Sequence, residues 1–365
     1  MRQEQLMVIY GDQPRRMIPE LLDAIDLTAE LEKEHTIGLK PNLVLARESS
    51  SGATTDPEIV EATVQYLKER GYNNLVIMES SWVGDRTDRA FKVCGYEKIS
   101  RKYDVPLLDL KRDGYREIRV GDLTLRVCNK PLEVDFLINM PVLKAHCQTR
   151  LTCALKNLKG CIPDNEKRRF HTMGLHKPIA YLNAAIKTHL IIVDGIIGDL
   201  TFEEGGTPVQ MNRIIAGKDP VLVDAYAAQL IGYDIDDIPY ITMAEEIGVG
   251  SANVSRASII ELNSDTYSHR SFKASRRVVA GLTAHIEESN ACSACYGSLI
   301  HALERLREKG LLFRLKEKLY IGQGYRRLKG DGIGIGTCTR GFSTNLPGCP
   351  PKAKDIVEFL EKLLV

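Results

Sequence analysis

Apolar residues in the first 265 positions form short runs that alternate with longer amphipathic stretches. The short runs have the length of buried strands, and the amphipathic stretches have the 3.6-residue period of helices. This pattern predicts strands at 36–39, 74–79, 105–110, 135–139, 190–194, 213–216 and 257–262. It predicts helices at 18–32, 57–70, 86–94, 178–187, 220–231 and 239–247. Such alternation is typical of an α/β domain, with a largely parallel sheet and flanking helices.

Turn and cap residues refine this organisation. Asp56 and Asp219 each precede a proline and are predicted N-caps, and Gly121-Asp122 predicts a β-hairpin over 117–127. Residues 266–290 are polar and basic, which indicates a linker between an α/β domain at 1–265 and a small domain at 291–365. For the small domain we predict helices near 297–309 and 352–364 and a glycine-rich loop at 330–336.

Charge separates the two parts of the chain. The 49 basic and 48 acidic side chains give a formal net charge of +1. Residues 268–329 carry 13 lysines and arginines against five glutamates, a local charge of +8 that leaves −7 for the rest. The near-neutral total argues against a nucleic-acid surface along the whole chain, whereas the basic segment suits an acidic electron-transfer partner.

Hydropathy and cysteine content bear on location. No apolar run approaches the length of about 18 residues needed to cross a bilayer. The N-terminal segment reaches a polar turn too early to contain a signal-peptide core. We therefore expect a cytoplasmic protein, whose nine cysteines stay reduced and act as buried thiols or metal ligands.

Four cysteines are grouped near the C-terminus. Cys292 and Cys295 are spaced so that two thiolates can reach one metal centre from a single turn, and Cys338 and Cys349 follow. A helix N-terminus after Cys295 favours thiolate, and a proline after Cys349 is frequent in iron–sulfur proteins. The four residues predict an iron–sulfur cluster, with [4Fe–4S] favoured, while structural zinc and unliganded thiols remain alternatives.

A second group of polar residues lies between Met140 and His171, directly after a predicted strand. Because ligands of α/β sheets bind beyond the carboxyl ends of strands, this segment is a candidate pocket. Its lysines and histidines suit a small anionic substrate, although a solvated basic helix face is the alternative. The basic residues in question are Lys144, His146, Lys156, Lys159 and His171.

The spacing of apolar residues predicts a helix through this segment. Leu151, Leu155 and Leu158 recur with helical spacing. A straight helix would hold His146 and Lys156 about 15 Å apart, so they can contact one atom only if the chain bends between them.

Several of these residues lie in motifs that resemble an uncharacterised family, catalogued as domain of unknown function 362. The resemblance covers roughly residues 36–260 and implies an α/β fold, often followed by an iron–sulfur region, with no established reaction. The four cysteines do not follow the compact double-ferredoxin pattern of some members, so a two-cluster arrangement is not expected. The motifs are Lys40-Pro41-Asn42, Thr55-Asp56-Pro57, Asn139-Met140-Pro141, Lys144-x-His146, Ala154-Leu155-Lys156-Asn157-Leu158-Lys159-Gly160, His171, Asp194-Gly195 and the run from Ala216 to Asp224.

Asp224 lies in an apolar stretch, where an unpaired charge would be costly. The family resemblance makes Lys40 or Lys156 its expected partner. The residue is then either half of a buried ion pair or, alternatively, a general base or cation ligand in the pocket.

A more distant similarity links His146, Lys156 and His171 to nickel-pincer lactate racemases, in which residues at comparable spacing hold the cofactor. The full surroundings of the racemase site are not evident, and Asn157 follows the lysine. Three further cysteines, Cys147, Cys153 and Cys161, match no standard ligand spacing and are predicted to be buried or helix-facing thiols.

These observations predict a cytoplasmic, redox-active iron–sulfur protein, for which oxidoreductase activity is one expectation. Its pocket for a small anionic substrate would be lined by Lys40, His146, Lys156, His171 and Asp224. The alternative is a non-enzymatic module in which zinc or a cluster only stabilises the C-terminal domain, while its basic face binds an acidic partner or nucleic acid. Aromatic residues make up 6% of the chain, which disfavours recognition of single-stranded nucleic acid by stacking.

Overall fold

The computed structural model describes residues 1–264, 272 and 276–364, which divide into two compact units. The first unit comprises Met1–Glu166 and His176–Ala274, and the second comprises Lys167–Leu175 and Ser275–Val365. The linker or boundary predicted at 266–290 lies in part outside the described residues, and its described part includes a helix at Arg276–Thr283 and a strand at Ile286–Glu288 of the second unit.

The first unit is built on a large sheet and two hairpins. Its strands are β1 (Gln5–Tyr10), β2 (Ile37–Pro41), β3 (Leu75–Glu79), β4 (Leu107–Asp109), β5 (Tyr115–Val120), β6 (Leu123–Cys128), β7 (Phe136–Met140), β8 (Lys144–His146), β9 (Arg150–Thr152), β10 (Leu190–Asp199), β11 (Pro208–Gly217) and β12 (Ser258–Glu261). Eight of them form one sheet in the order β12-β1-β11-β10-β7-β2-β3-β4, and β5–β6 and β8–β9 form the hairpins. Within the described sheet only the two pairings of β11 are antiparallel. The predicted fold class, a largely parallel α/β sheet with flanking helices, is therefore confirmed.

Ten helices accompany these strands in the described residues. They are α1 (Pro14–Ala24), α2 (Pro57–Glu69), α3 (Thr87–Val93), α4 (Tyr96–Tyr103), α5 (Lys130–Glu133), α6 (Ala154–Asn157), α7 (Asp164–Thr172), α8 (His176–Ala185), α9 (Pro220–Leu230) and α10 (Pro239–Glu246). Asp56 caps α2 and Asp219 caps α9 through side-chain oxygens that accept backbone N–H groups, as predicted. Every residue of β2, β3 and β7 is buried, as expected for parallel strands covered on both faces.

The second unit contains a four-stranded parallel sheet. Its elements are α11 (Arg276–Thr283), β13 (Ile286–Glu288), α12 (Ser293–Glu308), β14 (Leu319–Ile321), β15 (Gly330–Ile335), β16 (Phe342–Leu346) and α13 (Ala353–Leu364). The strands pair in the order β13-β14-β15-β16. No helix in the described ranges is long and apolar enough to cross a membrane.

Three local predictions were wrong. The glycine-rich loop predicted at 330–336 is strand β15, in which buried Ile333 and Ile335 pack inward and a Cβ at Gly334 would lie 2.7 Å from Thr339. The first helix ends at Ala24, because Asp26 adopts a left-handed backbone conformation with φ 53°. The third difference, the hairpin of β8 and β9 where a helix was predicted, changes the candidate site and is described below.

Candidate functional site

Polar side chains gather at the carboxyl ends of three neighbouring strands in the first unit. Lys40 lies near the end of β2, opposite Asn139 of β7, and Glu79 ends β3. All three are buried. Because parallel strands present their carboxyl ends at one edge, this edge is where an α/β sheet usually holds a ligand.

Lys40 is paired within the protein. Its Nζ lies 2.8 Å from Glu79 Oε2, 2.8 Å from the Pro41 carbonyl oxygen and 3.2 Å from Asn157 Oδ1. Glu79 also accepts the Leu43 and Ser80 backbone N–H groups. Complete pairing is what a fully buried ammonium requires, because isolated charges are strongly disfavoured in the interior.

Asn157 connects Lys40 to the rest of this network. Its Oδ1 accepts a 2.8 Å hydrogen bond from Asn42 Nδ2, and its Nδ2 donates to Asn139 Oδ1 at 2.7 Å. Asn42 Oδ1 in turn accepts from Lys144 Nζ at 3.1 Å. Residues of four of the named motifs thus form one continuous buried hydrogen-bond network.

Lys144 is held mainly by carbonyl oxygens. Its Nζ donates to Ala53 O at 2.6 Å and to Glu203 O at 3.0 Å. Burial lowers the pKa of Lys144 to about 8, although the nearby Glu203 carboxylate opposes the shift.

His146 and Lys156 meet on a single carboxylate, that of Glu203. Lys156 Nζ lies 2.6 Å from Glu203 Oε1, and His146 Nε2 lies 2.7 Å from Glu203 Oε2. The helix predicted from Leu151 begins only at Ala154, and the chain before it bends, because β8 and β9 fold back as a hairpin. This bend brings together two side chains that a straight helix would keep apart.

The protonation of this trio follows from its contacts. His146 Nδ1 accepts the backbone N–H groups of Gln148 and Thr149, so the ring proton belongs on Nε2, facing Glu203. Burial lowers the pKa of His146 to about 4, so the ring is neutral at pH 7. Burial opposes ionisation of Glu203, but His146 and Lys156 hold its pKa well below the ordinary value. The trio is therefore a carboxylate clamped between an ammonium and a neutral imidazole N–H.

Lys40 or Lys156 was the expected partner of Asp224, and this prediction is wrong. The two carboxylate oxygens of Asp224 accept the backbone N–H groups of Ala154, at 2.7 Å, and Leu155, at 3.3 Å. N–H groups in the first turn of a helix have no acceptor within that helix. By accepting these two, Asp224 fixes the start of α6, the helix that carries Lys156. Burial raises the pKa of Asp224 to about 7.

We predict that Asp224 makes stability fall as pH rises. The unfolded chain releases this proton near pH 3.9, whereas the folded protein holds it to about pH 7. Between these pH values the folded state binds more protons than the unfolded state, so the free energy of unfolding falls as pH rises. The Asp224→Asn variant should flatten the slope of unfolding free energy against pH by up to about 1.4 kcal/mol per unit. Urea denaturation at pH 5, 6 and 7 measures the slope. Asp236→Asn, at an exposed site, is the control, and a D224N slope equal to wild type would contradict the assignment.

The remaining predicted residues lie elsewhere. His171 belongs to the second unit, where its Nε2 lies 3.4 Å from both the backbone nitrogen and the Oγ of Ser293. Cys153 and Cys161 are buried thiols of the first unit, and Cys147 is partly exposed. Of the predicted pocket residues, the first unit thus unites His146 and Lys156 on one carboxylate and links Lys40 to them through the asparagine network.

The four C-terminal cysteines line one site in the second unit. Cys292 and Cys295 lie at the start of α12, Cys338 follows β15, and Cys349 follows β16. Ile321, Ile335 and Leu346 are in register, so β14, β15 and β16 end at the same edge of the sheet. The sheet and the α12 N-terminus thereby bring together thiols that are up to 57 positions apart in sequence.

Positive and polar groups surround these thiols. Arg168, Gln323 and Arg326 share the lining with backbone of Gly322, Gly336 and Gly348. Arg326 Nε lies 3.4 Å from Cys338 Sγ, and Gln323 Nε2 donates to the Arg168 carbonyl at 2.9 Å. Burial, followed by the three other thiols, raises the pKa of Cys295, whereas Arg168 lowers it. A bound cationic centre would supply the charge that ionised thiolates need here.

The residues that line this site are of the types that surround iron–sulfur clusters. In the part of the chain that the structure describes, no three histidine, cysteine or carboxylate side chains converge as ligands of one metal ion. A four-iron cluster makes a different demand, because four thiolates surround it rather than meet at one point. Four cysteines, two guanidinium groups and glycine backbone around one cavity satisfy that demand.

Sequence reasoning noted Glu203 as a carboxylate after a predicted strand but gave it no role, and it missed Glu79, Arg168 and Arg326. Glu203 and Glu79 complete the buried ion pairs, and Arg168 and Arg326 flank the cysteines. A weak signal for Glu203 exists, because two glutamates and two glycines follow a predicted strand. The arginines stand among many other basic residues, and spacing alone does not distinguish them.

Comparisons with known proteins agree with the family resemblance. The family model described as Domain of unknown function (DUF362) matches residues 37–229. A thylakoid-associated protein of Synechocystis sp. is 27% identical over 222 residues, covering 58% of this chain and 67% of that protein.

Two solved structures are similar over part of their length. The lactate racemase apoprotein of Thermoanaerobacterium thermosaccharolyticum has a TM-score of 0.39 and 11% identity, over 60% of this chain and 55% of that one. A Thermotoga maritima protein has a TM-score of 0.37 and 15% identity, over 65% of this chain and 60% of that one. The chain therefore spans less than two thirds of either structure.

Proposed function

Given that the chain belongs to the family described as Domain of unknown function (DUF362), we propose that it is a redox-active iron–sulfur protein. Cys292, Cys295, Cys338 and Cys349 would hold a [4Fe–4S] cluster in the domain at 291–365. The observation that carries the proposal is that all four cysteines line one site. We infer a cytoplasmic location, where such thiols stay reduced until they bind metal.

The chain's own residues would perform three tasks at this site. The four thiolates would bind iron, and the N-terminus of α12 would offset part of the negative charge on Cys292 and Cys295. Arg168 and Arg326 offset negative charge, and the glycines let the backbone approach closely. When bound, the cluster supplies one-electron oxidation and reduction.

The second part of the proposal is a small-anion pocket in the first unit. Lys156 and His146 address the two oxygens of one carboxylate, which is the arrangement that a small anionic substrate would use. Glu203 occupies that position, and the substrate would replace it. Replacement would also require the loop to move, and Arg47 Nη1 holds that loop by donating to the carbonyl oxygens of Glu204 and Gly205.

The direct test is anaerobic purification followed by iron and sulfide assays and electron paramagnetic resonance of the reduced protein. We expect about four irons and four sulfides per chain, with a signal that cycles reversibly in a redox titration. Stoichiometric zinc without sulfide would reject the proposal. It would favour the alternative, a non-enzymatic module with a zinc-stabilised domain and a basic face for an acidic partner or nucleic acid.

Arg326 provides a sharper prediction about the same site. Its guanidinium donates toward Cys338 Sγ, and positive charge near a thiolate favours the reduced, more negative cluster. Arg326→Gln should therefore lower the midpoint potential in a spectroscopic redox titration while iron content stays at the wild-type level. Arg327→Gln, at the next exposed position, is the matched control. Equal potentials for R326Q and R327Q would contradict a tuning role.

A further inference from the structure

One side of the four-cysteine site faces solvent. Cys349 is exposed, and Cys292, Cys295 and Cys338 are partly exposed. The Arg326 side chain reaches Cys338 from an exposed turn. An electron carrier would reach the site most closely from the side of Cys338 and Cys349.

Basic side chains outnumber acidic ones among the exposed residues near these two cysteines in sequence, where Asp331 and Asp355 are the acidic ones. We define the basic patch as Arg327, Leu328, Lys329, Arg340 and Lys352, all of which are exposed. Arg327 and Lys329 follow Arg326 on one turn, Arg340 comes two residues after Cys338, and Lys352 three after Cys349.

Backbone contacts bring two of these segments together. A Cβ at Gly341 would collide with the Leu328 carbonyl oxygen, so the chain beside Arg340 runs directly against the turn that carries Arg327 and Lys329. The Gly330 N–H also donates to the Gly341 carbonyl at 3.4 Å. The segments that carry Arg327, Lys329 and Arg340 therefore lie side by side on one surface.

From this juxtaposition we infer that the basic patch is the docking surface for an acidic one-electron carrier protein. The inference rests on the proposed iron–sulfur function and specifies the partner and its place of contact. Leu328 is 52% exposed among cations, which resembles the apolar centre and polar rim of a protein interface. A small, charged surface suits the transient complexes of redox proteins, because charge steers encounter and allows rapid release.

The composition of the patch favours a protein over nucleic acid. Its apolar member is a leucine, and the patch as defined contains no aromatic ring on which a base could stack. Its positive charges complement carboxylates on a carrier surface.

The test measures binding of the cluster-loaded full-length chain to a plant-type [2Fe–2S] ferredoxin, an acidic probe. Isothermal titration calorimetry at low and high salt should show binding that weakens as salt rises. Arg327→Glu with Lys329→Glu should weaken the affinity at low salt by about tenfold or more. Lys316→Glu with Lys362→Glu makes the same charge change at exposed positions outside the patch and should weaken it much less.

The outcomes separate this inference from the proposed function. If the protein carries a redox-active cluster and the two double variants bind the ferredoxin with equal affinity, the docking surface is wrong and the cluster proposal stands. Wild-type protein without iron and sulfide would overturn the proposed function itself. The inference would also be rejected if an oligonucleotide bound more tightly than the ferredoxin and the patch variants weakened that binding. Nucleic acid would then be the partner of the basic patch.

Discussion

Replacing Cys349 by alanine should abolish the iron and sulfide content of anaerobically purified protein and remove its paramagnetic signal. A four-thiolate site that loses one ligand exposes an iron atom to solvent, from which that iron is readily lost, so we expect the cluster to decay during purification. Cys349 is exposed, so its truncation leaves no cavity in the core and the chain should still fold. Iron and sulfide assays, with circular dichroism to verify folding, measure the effect.

The matched control is Cys94→Ala, a free cysteine of the first unit that donates to the Arg47 carbonyl at 3.1 Å. This variant should keep wild-type iron and sulfide. Full cluster content in C349A would show that Cys349 is not a ligand. If wild type binds zinc and C349A does not, Cys349 is a metal ligand but the metal is zinc. The sulfide assay distinguishes this outcome from an iron–sulfur cluster.

Replacing Lys156 by methionine should lower the free energy of unfolding by about 3–5 kcal/mol. The change leaves the Glu203 carboxylate buried beside a neutral imidazole, with no cation at 2.6 Å. An unpaired buried charge is far more costly than the pair is stabilising. Urea denaturation at pH 7 gives the value directly.

Two variants make this result specific to the pair. Lys156→Met combined with Glu203→Gln removes both charges and should recover most of the loss, because nothing ionised stays unpaired. Lys187→Met, at an exposed position, should change stability by less than about 0.5 kcal/mol. A loss below about 1 kcal/mol in K156M would mean that solvent reaches Glu203.

The anion pocket has its own consequence in Glu203→Ala. Lys156 and His146 then lack their carboxylate, and an added small anion should take its place. Acetate or phosphate should raise the melting temperature of E203A by mass action, more than that of the E203A/K156M double variant. Equal responses in the two variants would contradict anion binding by Lys156.

Much of the fold was predictable because local patterns and tertiary structure agree. The strands beginning near residues 37, 75 and 136 are buried at every position and mostly apolar, as expected for parallel strands covered on both faces, and their positions were predicted within a few residues. The turn at Gly121-Asp122 fixed the hairpin of β5 and β6. The helix predicted from Leu151 was partly wrong, because leucines at helical spacing do not exclude a strand: Leu151 lies in β9, and α6 begins at Ala154.

The candidate sites divide in the same way. The residues that carry unusual chemistry, such as the four cysteines and His146 with Lys156, could be selected from the sequence. Their partners could not. Asp224 accepts backbone N–H groups rather than a lysine, and His171 lies beside Ser293 in the second unit.

By itself, the sequence determined the α/β class, the family and the residue types available for chemistry, because strand and helix periods, caps and motifs are local properties. Tertiary structure alone decided which of those residues share a site. The hairpin of β8 and β9 brings His146 and Lys156 to the same carboxylate, that of Glu203. The ends of β14, β15 and β16 and the N-terminus of α12 bring the four thiols to one site, which Arg326 also lines. Such juxtapositions depend on strand order and on where the chain bends, which are set by packing of the whole sheet.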